Sequence, residues 1–368
     1  MATHAAGAAS QDERMADIGL VRRLFRRPEV GAVIGAAVVW IFFAGIAPTN
    51  WITLDGLARI LDPSSTLGIM AVAVALLMIG GEFDLSTGVM TGTTGLIAGM
   101  LATQMGINIW LAMLLALIFA LAVGYINGLM VIKTGLPSFI VTLATFFILR
   151  GANVGVTRLV VNQVRVAGID AASGFYPARI AFNTELYLFG VEFRSTIIWW
   201  LLLTALATWV LLRTKYGSWI FAVGGDAPAA RNVGVPSDKV KIALFMTTAG
   251  AAWLVGMMND LRLRSAVASQ GIGQEFVYII AAVIIAAVIG GCLLTGGYGS
   301  AVGASVGALI FGMARVGIVF AGWDTDWFYS FLGVMLLVAV IVNNFTRKRA
   351  EAVSVAVAKT KTTAEEEA

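Results

Sequence analysis

Long runs of apolar residues without a charged side chain dominate the sequence. A helix needs roughly 20 such residues to cross the hydrocarbon core of a bilayer. Two runs, 85–132 and 276–314, are too long for one crossing, and each contains a polar segment, 103–108 and 295–300, where we expect the chain to turn. The pattern therefore predicts ten transmembrane helices, at 30–47, 65–81, the two halves of 85–132, 137–149, 195–212, 242–259, the two halves of 276–314, and 327–346.

The composition indicates that these runs need lipid as their solvent. Apolar residues make up 59% of the 368 residues and charged residues only 12%, about half the usual charged share of a soluble domain. This excludes a disordered chain, a nucleic-acid-binding protein and an ordinary soluble enzyme. With one histidine, His4, and one cysteine, Cys292, the chain cannot build a His/Cys metal site. We therefore expect an all-α polytopic membrane protein with no metal and no cofactor.

The basic residues indicate how the helices are oriented. Ten spans place both ends of the chain on one side, and that side holds twice as many Lys and Arg residues as the other. Because basic residues are enriched on the cytoplasmic side, both termini are predicted to be cytoplasmic. The resulting division is an N-terminal tail at 1–29, a transmembrane domain at 30–346 with an outer loop at 150–194 and an inner loop at 213–241, and a disordered tail at 347–368.

Two carboxylates interrupt the apolar pattern between the second and third predicted spans. The segment reads Gly80-Gly81-Glu82-Phe83-Asp84-Leu85-Ser86. One interpretation is a short turn, in which glycines end one helix and Asp84 or Ser86 caps the next. The other is a broken helix whose polar residues line a pathway, since irregular backbone at membrane depth needs protein or water around it. The sequence leaves both interpretations open.

A second glycine-rich interruption lies between the eighth and ninth predicted spans. It contains Gly290, Gly291, Gly296, Gly297 and Gly299. Because both interruptions join two predicted spans, they hint at the internal repeat that many transporters contain. We interpret these glycines, together with the pair in the first interruption, as structural breaks.

Two further polar residues fall within predicted spans. Asn127 suits a hydrogen bond between helices. Arg315 is the only charge deep within a predicted span, and an intramembrane charge is a functional candidate by default. Its long stem could equally carry the guanidinium to the interface, or it could pair with a carboxylate.

The inner loop contains the signal for a short helix of its own. Asp226 is a suitable N-cap, and Gly234 can take the left-handed conformation that ends a helix. Ala229 and Ala230 lie between them, and their small side chains would let a partner surface approach the backbone. The basic residues around this helix are expected to lie near lipid headgroups; they are Arg213, Lys215, Lys239 and Lys241.

Four strings, in this order, resemble the membrane permeases of bacterial sugar ABC importers of the ribose, xylose and galactose type. They are Gly-Gly-x-x-Asp-Leu-Ser at 80–86, the segment 137–145, the Ala-Ala-x-x-x-Gly of the inner loop, and the second glycine-rich interruption. The resemblance covers roughly 51–344. Glu82 departs from the usual form, which has one residue fewer between Gly-Gly and Asp-Leu-Ser.

The resemblance implies a multi-pass permease of a bacterial inner membrane that works within a larger assembly. A second copy would complete a homodimer, and a periplasmic sugar-binding protein would deliver the cargo. A cytoplasmic ATP-binding subunit would dock on the inner loop at Asp226, Ala229, Ala230 and Gly234. The candidate pathway residues are Asp84, Ser86, Asn127, Thr142, Thr145 and Arg315. The sequence has no Gly-x-x-x-x-Gly-Lys-Ser/Thr phosphate loop, so we expect the ATPase activity on the partner subunit.

The cargo that the resemblance implies is a monosaccharide or a related polyol. A nucleoside or a branched-chain amino acid, carried by the same kind of importer, is the nearest alternative. An ion-coupled secondary transporter is a more distant one, because such carriers usually place ionisable residues in the middle of spans. Here only Arg315 clearly has that position.

Overall fold

The computed structural model describes residues 28–268, 289–293, 295–328, 330–335 and 337, and these are mostly helical. The helices are α1 (Pro28–Ile46), α2 (Pro48–Trp51), α3 (Leu54–Ile79), α4 (Thr87–Gln104), α5 (Ile109–Thr134), α6 (Ser138–Val161), α7 (Phe175–Asn183), α8 (Thr196–Arg213), α9 (Lys215–Gly225), α10 (Ala227–Asn232), α11 (Ser237–Leu263) and α12 (Ala301–Phe320). A 3-10 turn at Ile169–Ala171 and four short strands complete the described elements: β1 (Arg165–Ala167), β2 (Glu185–Leu188), β3 (Val191–Arg194) and β4 (Ser265–Val267).

Seven of the described helices are long and apolar enough to cross a membrane, namely α1, α3, α5, α6, α8, α11 and α12. They confirm that the chain is a multi-pass helical protein. α4 occupies the third predicted span but is not among the seven, because threonine and glycine make up much of it. The predicted span at 276–294 lies mostly outside the described residues, and that at 327–346 is described, as helix, only at 327–328, 330–335 and 337. The total of ten and the side of the termini stay predictions.

The fifth span is longer than predicted. α6 continues through Arg150 and Arg158 to Val161, and Asn162 ends it in the left-handed conformation. The Arg150 guanidinium lies 5.8 Å from the centroid of the Phe146 ring. A long basic side chain can place its charge away from its own backbone position, so Arg150 ends the apolar run without ending the helix. Residues 150–161 of the predicted outer loop therefore belong to α6, and we call the rest of that loop, 162–194, the outer segment.

Short strands make the outer segment less helical than predicted. β2 and β3 form an antiparallel hairpin in which Glu185 pairs with Arg194. β1 pairs with β4, so that Arg165 lies opposite Val267. The prediction of an all-α fold is wrong in this detail, because a pairing of three residues across such a sequence distance leaves no periodic pattern. The β1–β4 pair also ties the outer segment to the chain just after α11.

Small residues allow the long helices to approach closely. On α5, Gly124 and Gly128 lie directly against the backbone of α11, and Gly68 of α3 faces the Trp200 ring of α8. Lipid tails are as apolar as leucine, so helices in a bilayer associate through close packing and hydrogen bonds. As a result α3 is enclosed by α8, α11 and α12, and the threonine-rich α4 is enclosed by α5, α6 and α11.

Candidate functional site

The connection between α3 and α4 is a tight turn that depends on Gly81. The Gly81 N–H donates to the Met78 carbonyl at 2.9 Å, and the Glu82 N–H donates to the Leu77 carbonyl at 3.2 Å. This pair of bonds defines a Schellman motif, which ends a helix with a left-handed residue. Gly81 has a φ of +85°, which strains any residue that has a Cβ. The prediction of a break at Gly80 and Gly81 is confirmed.

A chain of hydrogen bonds joins this turn to three other helices. Asp84 Oδ1 accepts bonds from the Ser86 N–H at 2.9 Å and from the Ser86 hydroxyl at 2.6 Å, while Oδ2 accepts one from the Thr248 hydroxyl of α11 at 2.7 Å. Asn127 of α5 donates from Nδ2 to Ser86 Oγ at 3.1 Å and accepts from the Thr145 hydroxyl of α6 at 2.7 Å. We call these five residues the Asp84 network. All except Thr145 are buried.

The first turns of α6 hold the backbone of the same connection. The Phe83 N–H donates to the Ser138 hydroxyl at 3.0 Å, and the Leu85 N–H donates to the Thr142 hydroxyl at 3.1 Å. Amides in an irregular buried segment need such partners, since an unpaired amide there costs free energy. The two hydroxyls therefore let the chain stay irregular inside the helix bundle.

The structure brings together five of the six predicted pathway residues. Asp84, Ser86, Asn127 and Thr145 belong to the Asp84 network, and Thr142 bonds to the same connection. Arg315 lies on an exposed face of α12 and is not part of the network.

The capping interpretation is wrong for Ser86 but is confirmed for Asp84. Ser86 is the N-cap of α4, but its side chain makes no capping hydrogen bond. The Asp84 carboxylate accepts hydrogen bonds from the backbone N–H groups of Ser86 and Thr87 at the start of α4, as an N-cap does, and also from the Thr248 hydroxyl. It therefore caps α4 and also joins this helix to α11.

Glu82 forms an ion pair with Lys241 of α11. Lys241 thus has a partner within its own chain, and its nearness to lipid headgroups stays a prediction. α11 begins at Ser237, so Lys241 lies one turn inside the helix, and its stem can extend toward the connection between α3 and α4. The Glu82 side chain is only 10% exposed, and a carboxylate in such a position needs a cation beside it.

Sequence reasoning missed two members of the site. Thr248 lies in an apolar stretch of α11, where a hydroxyl most often bonds to its own helix, so no local signal distinguishes it. Ser138 lies inside the string 137–145 that resembles the permeases. That string could have identified it.

The inner loop contains two short helices, α9 and α10. The predicted helix is confirmed in α10, where Asp226 Oδ1 accepts a hydrogen bond from the Ala229 N–H at 2.9 Å. Gly234 follows with a φ of +87°. Ala229 is exposed, but Ala230 is buried against the rest of the chain. The expectation that both alanines face a partner is therefore wrong for Ala230, because α10 packs that face on its own protein.

The second glycine-rich interruption meets the first. Gly291, Gly296 and Gly297 have φ values of +75°, +80° and +71°, which confirms that they break the regular backbone. The Gly297 N–H donates to the carbonyl of Ile79, the last residue of α3, at 2.8 Å. The two interruptions therefore form one irregular region near the inner loop, and the internal repeat stays a prediction.

The chemistry of this region suits an uncharged polar ligand. The Asp84 network offers one carboxylate, one amide and three hydroxyl groups, which can both donate and accept hydrogen bonds. Within the described part of the chain, no group of three or more His, Cys, Asp or Glu side chains could hold a metal ion. In this conformation the Asp84 oxygens are both bonded to protein, so the network is closed.

The chain resembles several known permeases. A family described as "Branched-chain amino acid transport system / permease component" matches residues 56–340. The ribose import permease protein RbsC of Escherichia coli K12 is 31% identical over 314 residues, covering 84% of this chain and 92% of that protein. The xylose transport system permease protein XylH of the same strain is 28% identical over 370 residues, covering 87% and 93%.

A third relative carries a location in its name. The inner membrane ABC transporter permease protein YjfF of Escherichia coli K12 is 27% identical over 311 residues, covering 84% of this chain and 88% of that protein. No solved structure matches the chain significantly. With several helices long and apolar enough to cross a membrane, the chain is the membrane permease component of a transporter and not its ATPase. It belongs to the family of carbohydrate-uptake ABC transporter permeases that includes the ribose import permease.

Proposed function

We propose that this permease imports a monosaccharide or a related polyol. The observation that carries the proposal is the 31% identity to the ribose import permease over most of both chains. The xylose permease supports the same class of cargo. The family description mentions branched-chain amino acids, so an amino acid is the cargo against which the proposal must be tested.

The Asp84 network is the inner gate of the pathway in this proposal. α4 is enclosed by other helices and has buried hydroxyls at Thr87, Thr91, Thr93 and Thr94. A helix of this composition is better suited to a polar route than to contact with lipid. When the gate opens, the Asp84 carboxylate and the Asn127 amide exchange their protein partners for hydroxyl groups of the cargo. Binding at this point is weak, because a tight site would retain the cargo.

The assembly in this proposal is a homodimer. Each copy has ten spans and both termini in the cytoplasm, and the basic residues of its inner loop contact lipid headgroups. ATP-binding subunits and a periplasmic sugar-binding protein act with it, as the family implies. The ATP-binding subunit contacts the exposed side of α10, which carries Ala229 and Arg231. ATP binding moves the inner loop, and the pathway changes its open side.

The contact with the ATP-binding subunit can be tested with two neighbouring alanines. Ala229→Glu adds a carboxylate on the exposed side, so we expect normal accumulation of the permease but loss of co-purification with the ATP-binding subunit. Ala230→Glu buries a carboxylate, so we expect the permease itself to be depleted from the membrane. Normal co-purification of Ala229→Glu would remove α10 from the proposed contact.

Uptake into proteoliposomes tests the cargo and the energy source together. The permease, its ATP-binding subunit and its binding protein are reconstituted, and uptake of labelled pentoses, hexoses, polyols, nucleosides and leucine is compared with ATP or ADP inside. We expect sugar or polyol uptake that needs ATP and is unaffected by proton and sodium ionophores. Uptake of leucine or a nucleoside alone would contradict the cargo, and ionophore-sensitive uptake without ATP would contradict the class.

A further inference from the structure

Three glycines from distant parts of the chain meet where the inner loop contacts the connection between α3 and α4. Gly224 lies at the end of α9, Gly81 lies in the connection, and Gly297 lies in the second interruption. A Cβ at Gly224 would overlap the carbonyl oxygen of Ile79 and lie 2.6 Å from the Gly297 nitrogen. A Cβ at Gly81 would lie 3.4 Å from the Gly224 Cα. We call these three residues the glycine junction.

The contacts at the glycine junction are between main-chain atoms. The carbonyl of Ile79 is at the end of α3, where the last carbonyls of a helix have no intrahelical partner, and Gly297 N–H supplies one at 2.8 Å. Main-chain atoms have no rotamers, so a shift of one segment cannot be absorbed by the rotation of a side chain. The three segments must therefore move together or separate.

The same region connects α9 to α11. The Tyr216 hydroxyl of α9 donates to the Val240 carbonyl at 3.3 Å, and the neighbouring Lys241 pairs with Glu82. Only a few residues separate Ile79 from Asp84, and they include the Schellman turn and one bond to α6, from the Phe83 N–H to the Ser138 hydroxyl. A displacement of the glycine junction therefore displaces Asp84 as well, because the short segment between them absorbs little of the movement.

We infer that Gly224 is a positioning residue through which movement of the inner loop is passed to the Asp84 network. This inference rests on the proposed function, in which an ATP-binding subunit drives α9 and α10. Gly224 has this role because only a residue without Cβ lets α9 contact the end of α3 and the second interruption at once. Its absence of a side chain would then serve coupling as well as packing.

Two adjacent glycines of α9 provide a matched pair of variants. A Cβ at Gly225 would meet nothing within 4 Å, whereas a Cβ at Gly224 separates α9 from Ile79. Gly224→Ala and Gly225→Ala both favour the helix by about 1 kcal/mol. They therefore differ mainly in what they do to the glycine junction.

The experiment uses the complete reconstituted transporter. It measures the ratio of ATP hydrolysis with and without loaded binding protein, and the cargo taken up per ATP hydrolysed. For Gly224→Ala we expect both quantities to fall about tenfold, which is within the usual range of coupling between two sites. For Gly225→Ala we expect values close to those of the unmodified protein. Equal behaviour of the two variants overturns the inference.

Hydrogen exchange on the unmodified transporter decides the matter if Gly224→Ala does not accumulate. The peptide that contains Gly297 is followed with ADP and with a non-hydrolysable ATP analogue. We expect the Gly297 amide to stay protected in both states, since the junction moves as a unit. Loss of protection in one state overturns the inference. If the unmodified transporter shows no ATP-dependent uptake at all, the proposed function fails instead. This failure is visible in the unmodified protein, without either variant.

Discussion

The Thr248 hydroxyl donates a hydrogen bond of 2.7 Å to Asp84 Oδ2, although the two residues lie 164 positions apart in the sequence. The bond links the middle of α11 to the irregular connection between α3 and α4, and both residues are buried. A hydroxyl and a carboxylate that meet away from water form a stronger bond than the same pair at a surface. This bond makes the position of the connection depend on the position of α11.

Removal of that donor should loosen the connection. Thr248→Val keeps the shape of the side chain but leaves the Asp84 oxygen with one partner fewer, so we expect a loss of about 2 kcal/mol of stability. Thr248→Ser keeps the hydroxyl and serves as the control. The thermal midpoint in detergent measures the effect. A midpoint for Thr248→Val equal to that of Thr248→Ser would show that the bond contributes little.

The effects of changing Glu82 and Lys241 on stability should depend on each other, and salt should change the contribution of this ion pair little. Because Lys241 retains some access to solvent, we expect Glu82→Gln to cost about 2 kcal/mol, less than the loss typical of a fully buried pair. Combining Glu82→Gln with Lys241→Met should cost less than the sum of the two single changes. The exposed pair of Arg59 and Asp55 is the control, and Arg59→Gln should change the midpoint little. Additive effects at Glu82 and Lys241 would disprove the coupling.

Asp260 should limit the stability of the protein. It is buried in α11, and its Oδ2 has no hydrogen-bond partner among the described residues. Burying a carboxyl oxygen without a partner costs free energy, and keeping the group charged there costs more, so Asp260→Asn is expected to raise the thermal midpoint. Asp238→Asn changes an exposed carboxylate and should have little effect. A lower midpoint for Asp260→Asn would contradict the prediction, and a higher one with impaired uptake would identify Asp260 as a functional residue.

The topology prediction can be tested with two exposed positions. Phe189 lies at the turn between β2 and β3, and Val233 follows α10. In a Cys292→Ser background, Phe189→Cys should react with a membrane-impermeant maleimide added to intact cells, whereas Val233→Cys should react only after the membrane is opened. The reverse pattern would place the termini outside.

The sequence predicts the parts of this structure that depend on local signals. Runs of apolar residues locate α1, α5 and α8, and Asp226 with Gly234 locates α10, because N-caps and left-handed ends are properties of neighbouring residues. The polar residues around Asp84 were identified because they are unusual within apolar runs.

The remaining parts depend on which segments meet in space. The bond from Thr248 to Asp84 and the contact of Gly224 with Ile79 join positions far apart in the chain, and neither a hydroxyl nor a glycine within a helix indicates its partner. The burial of Ala230 follows from the way α10 packs, which its own composition does not determine. The pairing of β1 with β4 also depends on which segments meet in space, which neither strand's own sequence indicates.

That pairing has a consequence for α11, the long helix that comes directly before β4. α11 has 27 residues, which makes it about 40 Å long. One end continues directly into β4, which is bonded to the outer segment, while Lys241 and Thr248 contact the Asp84 connection nearer the other end. α11 therefore connects the β1–β4 pair directly to Asp84, and this connection does not pass through the inner loop.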